Sequence, residues 1–268
     1  MLIDTHCHLD AAEFDGDRDA VLEAARAAGV GGFLVPAVCA DNFDAVAALS
    51  ASRASCCHAL GIHPLYVQRA QESDLELLRA RLAEGAAVAV GEIGLDGFVA
   101  NGDMPLQRRY FEAQLKIARD FELPVVLHIR RAQDEILKYL RRIAVPGGIA
   151  HAFNGSRQQA EAFIKLGFRL GFGGTMTFDG SRRIRELATS LPLSAIVLET
   201  DAPDMPPAWA GGQRNEPANL ARFARVLAEL RGMSVEEVIE ATGANALAAV
   251  PGLAGLTPRD VWPGACCG

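Results

Sequence analysis

Two histidines one residue apart, His6 and His8, follow a short apolar run at the start of the chain, Met1-Leu2-Ile3-Asp4-Thr5. Read as a β-strand, this run places both imidazoles on one face, because successive side chains alternate. Two neutral imidazoles converging at a strand end are suited to a divalent cation. Such a pair also arises by chance among surface or core histidines, so its weight comes from the rest of the chain. Four other histidines occur: His58, His63, His128 and His151. Three of them close or follow apolar runs, in Gly61-Ile-His-Pro64, Val125-Val-Leu-His128 and Gly148-Ile-Ala-His151. His58 lies within an apolar run and reads as a core histidine. Two carboxylates hold comparable positions, Glu92 in Val90-Gly-Glu-Ile-Gly94 and Asp201 in Leu198-Glu-Thr-Asp201. Asp201 is either a ligand or a turn cap. His63, before a proline, is either a turn residue or a contact to a ligand.

The elements that would position these groups alternate along the chain. Apolar, β-branched runs predict strands near Met1–His6, Gly32–Val35, Ser55–Leu60, Val88–Glu92, Pro124–His128, Gly148–His151, Arg169–Phe172 and Ala195–Glu199. Between them, apolar residues recur at spacings of three and four, as in Asp19–Ala28, which Gly29 stops, and in Tyr110–Arg119. Eight strands alternating with helices imply an α/β fold, the (β/α)₈ TIM barrel, as a single domain over 1–268. A Pro/Gly-rich loop, Asp201–Pro217, and two further helices follow the last strand, and the second opens on the capping box Ser234-Val-Glu-Glu237. In such a barrel the active site forms at the C-terminal ends of the strands. His6, His8, Glu92, His128, His151 and Asp201 would then share one rim, enough donors for two divalent cations.

Composition agrees with this reading and narrows it. The chain has 268 residues, half of them apolar, with a mean hydropathy of +0.14. That allows a sizeable core. Met1 leads straight into a strand, no leader is read, and no apolar run has the length of a membrane span. A cytoplasmic, membrane-free monomer is expected. The net charge of −7 disfavours adhesion to nucleic acid through a broad basic face, but not a nucleic acid gripped by metal ions in a cleft. Six cysteines without CxxC spacing read as small hydrophobes, with Cys266 and Cys267 exposed at the tail.

Taken in order, His6-x-His8, Gly61-Ile-His-Pro64, Gly91-Glu-Ile-Gly-Leu-Asp96, His128, His151-x-Phe-x-Gly155 and Glu199-Thr-Asp-x-Pro203 resemble the TatD family of metal-dependent deoxyribonucleases, within the amidohydrolase superfamily. Asn215-Glu-Pro217 and Asn245 also look like family positions, and the resemblance spans essentially the whole chain. It implies that His6 and His8, with Glu92 bridging, hold one metal. It further implies that Glu92, His128 and His151 hold a second, and that His63 contacts a phosphate. Asp201 resembles the aspartate that touches a metal and takes the proton from the attacking water. Two cations sharing a carboxylate can also stabilise both the attacking and the leaving oxygen of a phosphodiester. Four histidines favour zinc, manganese or a similar ion, whereas nucleases of this family are commonly assayed with magnesium.

Other residues read both ways. Arg130 is either a forked clamp for a substrate phosphate or a surface charge opening the next helix. Asp96 is a loop cap or a substrate contact, and Gly171-Phe-Gly-Gly174 is a phosphate cradle or a tight turn. The loop Gly97-Phe-Val-Ala-Asn-Gly-Asp103 departs from the aromatic and basic pattern of relatives, and Asp204 stands where they often carry tyrosine. The expected activity is hydrolysis of phosphodiesters in single-stranded DNA, exonucleolytically. The alternative is a binuclear hydrolase of a small phosphoester, amide or lactone.

Overall fold

All eight predicted strands form. In the computed structural model, which describes residues 1–99 and 102–256, they make one parallel sheet in chain order. The first half is β1 (Leu2–Asp4), β2 (Val30–Pro36), β3 (Cys56–Leu60) and β4 (Ala89–Asp96). The second is β5 (Val125–Arg130), β6 (Gly148–Ala150), β7 (Phe168–Phe172) and β8 (Ile196–Leu198). The intervening helices are α1 (Arg18–Ala27), α2 (Phe43–Ser52), α3 (Glu72–Ala83), α4 (Met104–Asp120), α5 (Gln133–Arg142), α6 (Arg157–Lys165) and α7 (Arg182–Ser190). After β8 come α8 (Leu220–Arg231) and α9 (Val235–Ala249), whose first turn carries the expected Ser234–Glu237 capping box. The architecture is the (β/α)₈ barrel. Cys266 and Cys267 lie outside the described residues, as do Ala100 and Asn101. Cys7 and Cys56 are buried thiols, and Cys39 and Cys57 are half-buried. No described helix is long and apolar enough to cross a membrane.

Side chains segregate by the face of the sheet on which they lie. One cluster, Ile3, Leu34, Ala59, Ala89, Val126, Ile149 and Val197, takes a residue from nearly every strand and packs with Ala246, Ala249, Val250, Leu253 and Leu256. α9 and the 3₁₀ turn Pro251–Gly255 thus seal one end of the barrel interior. Asn245 fastens this seal by donating from Nδ2 to Leu193 O and Ile196 O, at 2.8 and 2.7 Å. The larger cluster, rich in phenylalanine, joins the outer face of the sheet to the helices. The apolar layer fills only part of the interior, which leaves the C-terminal end free for polar groups.

Strand ends beside the site differ from expectation in two places. β1 ends at Asp4, so strand alternation is not what aims His6 and His8. Instead their segment is tied across the barrel seam. Thr5 N and Oγ1 both donate to Leu198 O at 3.1 Å, and Asp201 N donates to His6 O at 2.8 Å. Asp4, fully buried, accepts from Thr200 N at 2.9 Å and from Thr200 Oγ1 at 2.6 Å. The other difference is in β4 and β5, which run past Glu92 and His128 to Asp96 and Arg130. Glu92 therefore lies within β4, where the register with β5 shifts between Val90 and Ile93. Its N–H bonds to Ala37 O at 2.9 Å, and this irregularity turns the side chain into the barrel, as bulges do beside active sites.

Helix α4 contributes two buried glutamines one heptad apart. Gln114 accepts from Ile62 N at 2.6 Å and donates to Ile62 O at 3.0 Å, which holds the turn before His63. Gln107 accepts from Asp96 N at 2.8 Å at the end of β4. Gln114→Ala strands a buried peptide group, so a loss of about 1–3 kcal/mol is expected in urea unfolding. An unchanged midpoint would show that water replaces the side chain.

Candidate metal centre

The C-terminal end of the barrel opens into a cavity of about 780 Å³, with His8, His63, Glu92, His128, His151 and Asp201 among its lining groups. His6 lies beneath them, fully buried. All seven sequence-predicted donors and contacts from His6 to Asp201 are therefore brought together, and Arg130 joins them at the wall. His58 is elsewhere: it is buried in β3 with Nδ1 2.6 Å from Ser50 Oγ.

Glu92 organises the floor. Its Oε2 lies 3.1 Å from His6 Nε2 and 3.8 Å from His8 Nε2. Its Oε1 lies 2.9 Å from His128 Nδ1 and 3.6 Å from His63 Nε2. Asp201 Oδ1 faces the first group, 3.6 Å from His6 Nε2, 3.5 Å from His8 Nε2 and 3.6 Å from His151 Nε2. His6 and His151 stack with ring centroids 3.6 Å apart. The donors fall into overlapping sets: His6, His8 and Asp201; His6, Glu92 and His151; His63, Glu92 and His128. His151 thus groups with His6, and the neighbour of His128 is His63, at 2.9 Å.

Electrostatics identify what this arrangement requires. Burial alone would raise the Glu92 carboxyl, but His6, His63 and His128 overcome it and hold the group well below the usual carboxylate range. Asp201 is held low in the same way, against burial, by His151, His8 and His6. Burial opposes the charged form of His8, yet Asp201 and Glu92 raise it to about 9. Burial pushes His63 down to about 3, only partly offset by Glu92. His6 Nε2 and His8 Nε2 face each other at 3.3 Å, and each also faces carboxylate oxygens. An imidazole nitrogen carries at most one proton, so lone pairs crowd one point. A divalent cation resolves that crowding, and the donor set fits one.

A further pair of carboxylates orients the histidines. Asp96 Oδ2 lies 3.0 Å from His128 Nε2, while its Oδ1 accepts from Phe98 N at 2.8 Å, so it both caps its loop and holds the ring. Glu199 Oε1 lies 2.9 Å from His151 Nδ1 and accepts from Ala152 N at 2.6 Å. Sequence reasoning gave Glu199 no role. The signal available was its place two residues before Asp201. Gly171 is what admits Glu199, since a Cβ there would lie 2.1 Å from Glu199 Oε2. The glycine run at the end of β7 thus makes room for a side chain. Asn215 is also a strut: it is buried, and its Nδ2 donates to Thr200 O at 2.7 Å.

Carboxylates behind histidine ligands fix ring orientation, and their loss typically weakens metal binding about 10–100-fold. Asp96→Asn and Glu199→Gln are each expected to show that loss in a competition titration against a fluorescent chelator. Wild-type affinity in both would remove the orienting role. Backbone strain gathers here too. Of the five non-glycine residues with positive φ among the described residues, Arg131, Ala152, Asp201 and Met205 lie on loops after β5, β6 and β8.

A parallel barrel whose C-terminal cavity gathers four or more imidazoles around a shared carboxylate defines a metal-dependent hydrolase. Comparison with known proteins makes this specific. Residues 3–250 match the TatD related DNase family, and the chain belongs to that family. It is 43% identical over 242 residues to the uncharacterized metal-dependent hydrolase YjjV of Escherichia coli K12, covering 89% of this chain and 93% of the relative. The crystal structure of YjjV superposes with a TM-score of 0.90 at 42% identity, covering 93% of this chain and 98% of that one. The human deoxyribonuclease TATDN3 is 33% identical over 271 residues, 96% of this chain and 97% of the relative.

Proposed function

We propose that the protein is a divalent-metal-dependent deoxyribonuclease that cleaves phosphodiester bonds of single-stranded DNA exonucleolytically. The observation that carries this reading is Glu92, one carboxylate whose two oxygens address two histidine groups, His6 with His8 and His63 with His128. Two ions are proposed. His6, His8, Glu92 and Asp201 would hold the first, and Glu92 and His128 the second. The further donor to the second is either His151, implied by the resemblance but grouped here with His6, or His63, 2.9 Å from His128. Zinc, manganese and magnesium are the candidate ions. When bound, such ions lower the pKa of the attacking water and offset the negative charge of the phosphodiester.

The chain's own groups supply the remaining steps. Asp201, kept ionised by His151, His8 and His6, accepts the proton of the attacking water. Arg130, on the cavity wall, pairs with a phosphate oxygen. His63 either contacts the phosphate or completes the donor set of His128. Metal content of His63→Gln separates the two roles, falling only in the second. The name of the human relative supports DNA as the substrate class.

A second reading, a binuclear hydrolase of a small phosphoester, amide or lactone, is favoured by a different observation. Asp10, Glu13 and Asp204 line part of the same cavity and would repel a second backbone phosphate on that side. The test is hydrolysis of a 3′- or 5′-labelled single-stranded oligonucleotide by metal-stripped protein with magnesium, manganese or zinc restored. The His6→Ala/His8→Ala double variant runs beside it. Laddered products that need both the metal and the histidines support the nuclease reading. Intact DNA, with turnover of an aryl phosphodiester or a cyclic amide, selects the second.

A further inference from the structure

Three exposed apolar side chains lie on segments that follow the strands at the cavity's end of the barrel, and one of them, Leu65, lines the cavity. Leu65, Phe98 and Phe178 are 46%, 47% and 43% exposed, on the segments after β3, β4 and β7. Phe98 is the most exposed large apolar residue among those described. The guanidinium of Arg130 lies 3.8 Å from its ring centroid, and that of Arg131 lies 4.6 Å away. Neither arginine has a carboxylate within ion-pair distance among the described residues, although the charge of Arg130 acts on Asp96. This contrasts with the basic groups of the groove between α3, α4 and α5, where Arg79, Arg108, Arg109 and Lys116 each hold a carboxylate.

The cluster is held in register with the site. Phe98 N donates to Asp96 Oδ1, and the other oxygen of that carboxylate faces His128 Nε2. Gly97 N donates to Arg130 O at 2.7 Å, which ties the loop to the end of β5. Arg130 itself lines the cavity. A single carboxylate therefore sets the distance between an exposed aromatic ring and the centre where a phosphate would react.

We infer that Phe98, Arg130 and Arg131 form a nucleotide subsite. A nucleobase stacks against Phe98, and the two guanidiniums take the adjoining backbone phosphates. The inference rests on the nuclease reading and deepens it. The preferred substrate is a single strand extending at least one nucleotide beyond the scissile bond, because a base stacked inside a duplex has both faces covered. Stacking on an aromatic ring and charge on the backbone are the two components of sequence-tolerant single-strand binding. Two adjacent arginines without a salt-bridged carboxylate also give an acidic protein a local attraction for a polyanion.

The test is fluorescence anisotropy of fluorescein-labelled hexathymidylate at low salt, on protein held in EDTA so that nothing is cleaved. Loss of one base–aromatic stack in Phe98→Ala is expected to weaken binding about ten-fold. Phe98→Trp should retain binding, and Arg131→Ala should weaken it with a shallower salt dependence. Turnover of bis(4-nitrophenyl) phosphate by the manganese-loaded Phe98→Ala variant should fall far less than oligonucleotide binding, since that substrate has no extending nucleotide and Phe98 reaches it only through Arg130. Equal affinity of wild type and Phe98→Ala would overturn the subsite and leave the nuclease reading intact. Joint loss of oligonucleotide binding and aryl diester turnover, unrescued by tryptophan, would make Phe98 a prop for the Asp96 loop and also overturn it. Wild-type protein that neither binds nor cleaves the oligonucleotide would overturn both readings. Binding without cleavage would leave the subsite and remove the nuclease.

Discussion

Glu92→Gln is expected to lose turnover by about three orders of magnitude or more, the equivalent of several kcal/mol of metal-supplied stabilisation. It should also lose metal from both proposed positions, because the two oxygens of one side chain serve separate groups. Oε2 stands 3.1 Å from His6 Nε2, and Oε1 stands 2.9 Å from His128 Nδ1. Glutamine keeps the volume but has one oxygen, and its amide nitrogen would turn two hydrogens towards imidazole lone pairs or another cation. Metal content by mass spectrometry and oligonucleotide turnover measure the two effects, and two ions per chain in the variant would end the bridging assignment. Metal-free protein offers an independent reading. The Glu92 carboxyl is held below its ordinary value, so its contribution to stability is complete above that value and lost as pH falls. Glu92→Gln should accordingly flatten the acid side of the metal-free stability curve.

The barrel was legible in the sequence because each strand is a short apolar run and helices such as α1 and α4 carry a clear three-and-four periodicity between them. The cluster of donors was legible for a related reason: five of the six histidines and both carboxylates follow strand-like runs, and a parallel barrel brings such positions to one end. Two kinds of information were not local. One is the exact course of the backbone near the site. β1 ends early because seam contacts from Leu198 and Asp201 take over its hydrogen bonding, and Glu92 leaves the β5 ladder to bond with Ala37. The other is the identity of the supports. Gln107, Gln114, Asp4 and Glu199 are polar residues whose partners lie 11, 52, 196 and 47 residues away, and no spacing within a window reveals them. Phe98 was visible as a residue, yet the two arginines beside its ring come from the following strand and the turn after it.

Asp201→Asn is expected to separate chemistry from metal binding. The aspartate has φ +60°, a left-handed conformation that asparagine adopts about as readily, so the backbone and its bond to His6 O should persist. The amide oxygen can still coordinate a cation where Oδ1 now faces His8 at 3.5 Å and His151 at 3.6 Å. It cannot take up a proton. Removing a positioned general base costs about 10²–10⁴-fold in rate, so kcat should fall by that range while most of the metal is retained. KM should hold, because Asp201 is not assigned a contact with the substrate. Asp201→Ala removes the donor as well and should lose metal in addition to turnover. Single-turnover cleavage of a labelled oligonucleotide, with metal content measured on the same samples, distinguishes these outcomes. Near-normal turnover in Asp201→Asn would assign the proton to another group. Metal loss as deep as in Asp201→Ala would make Asp201 chiefly a ligand whose charge, not its basicity, the centre requires.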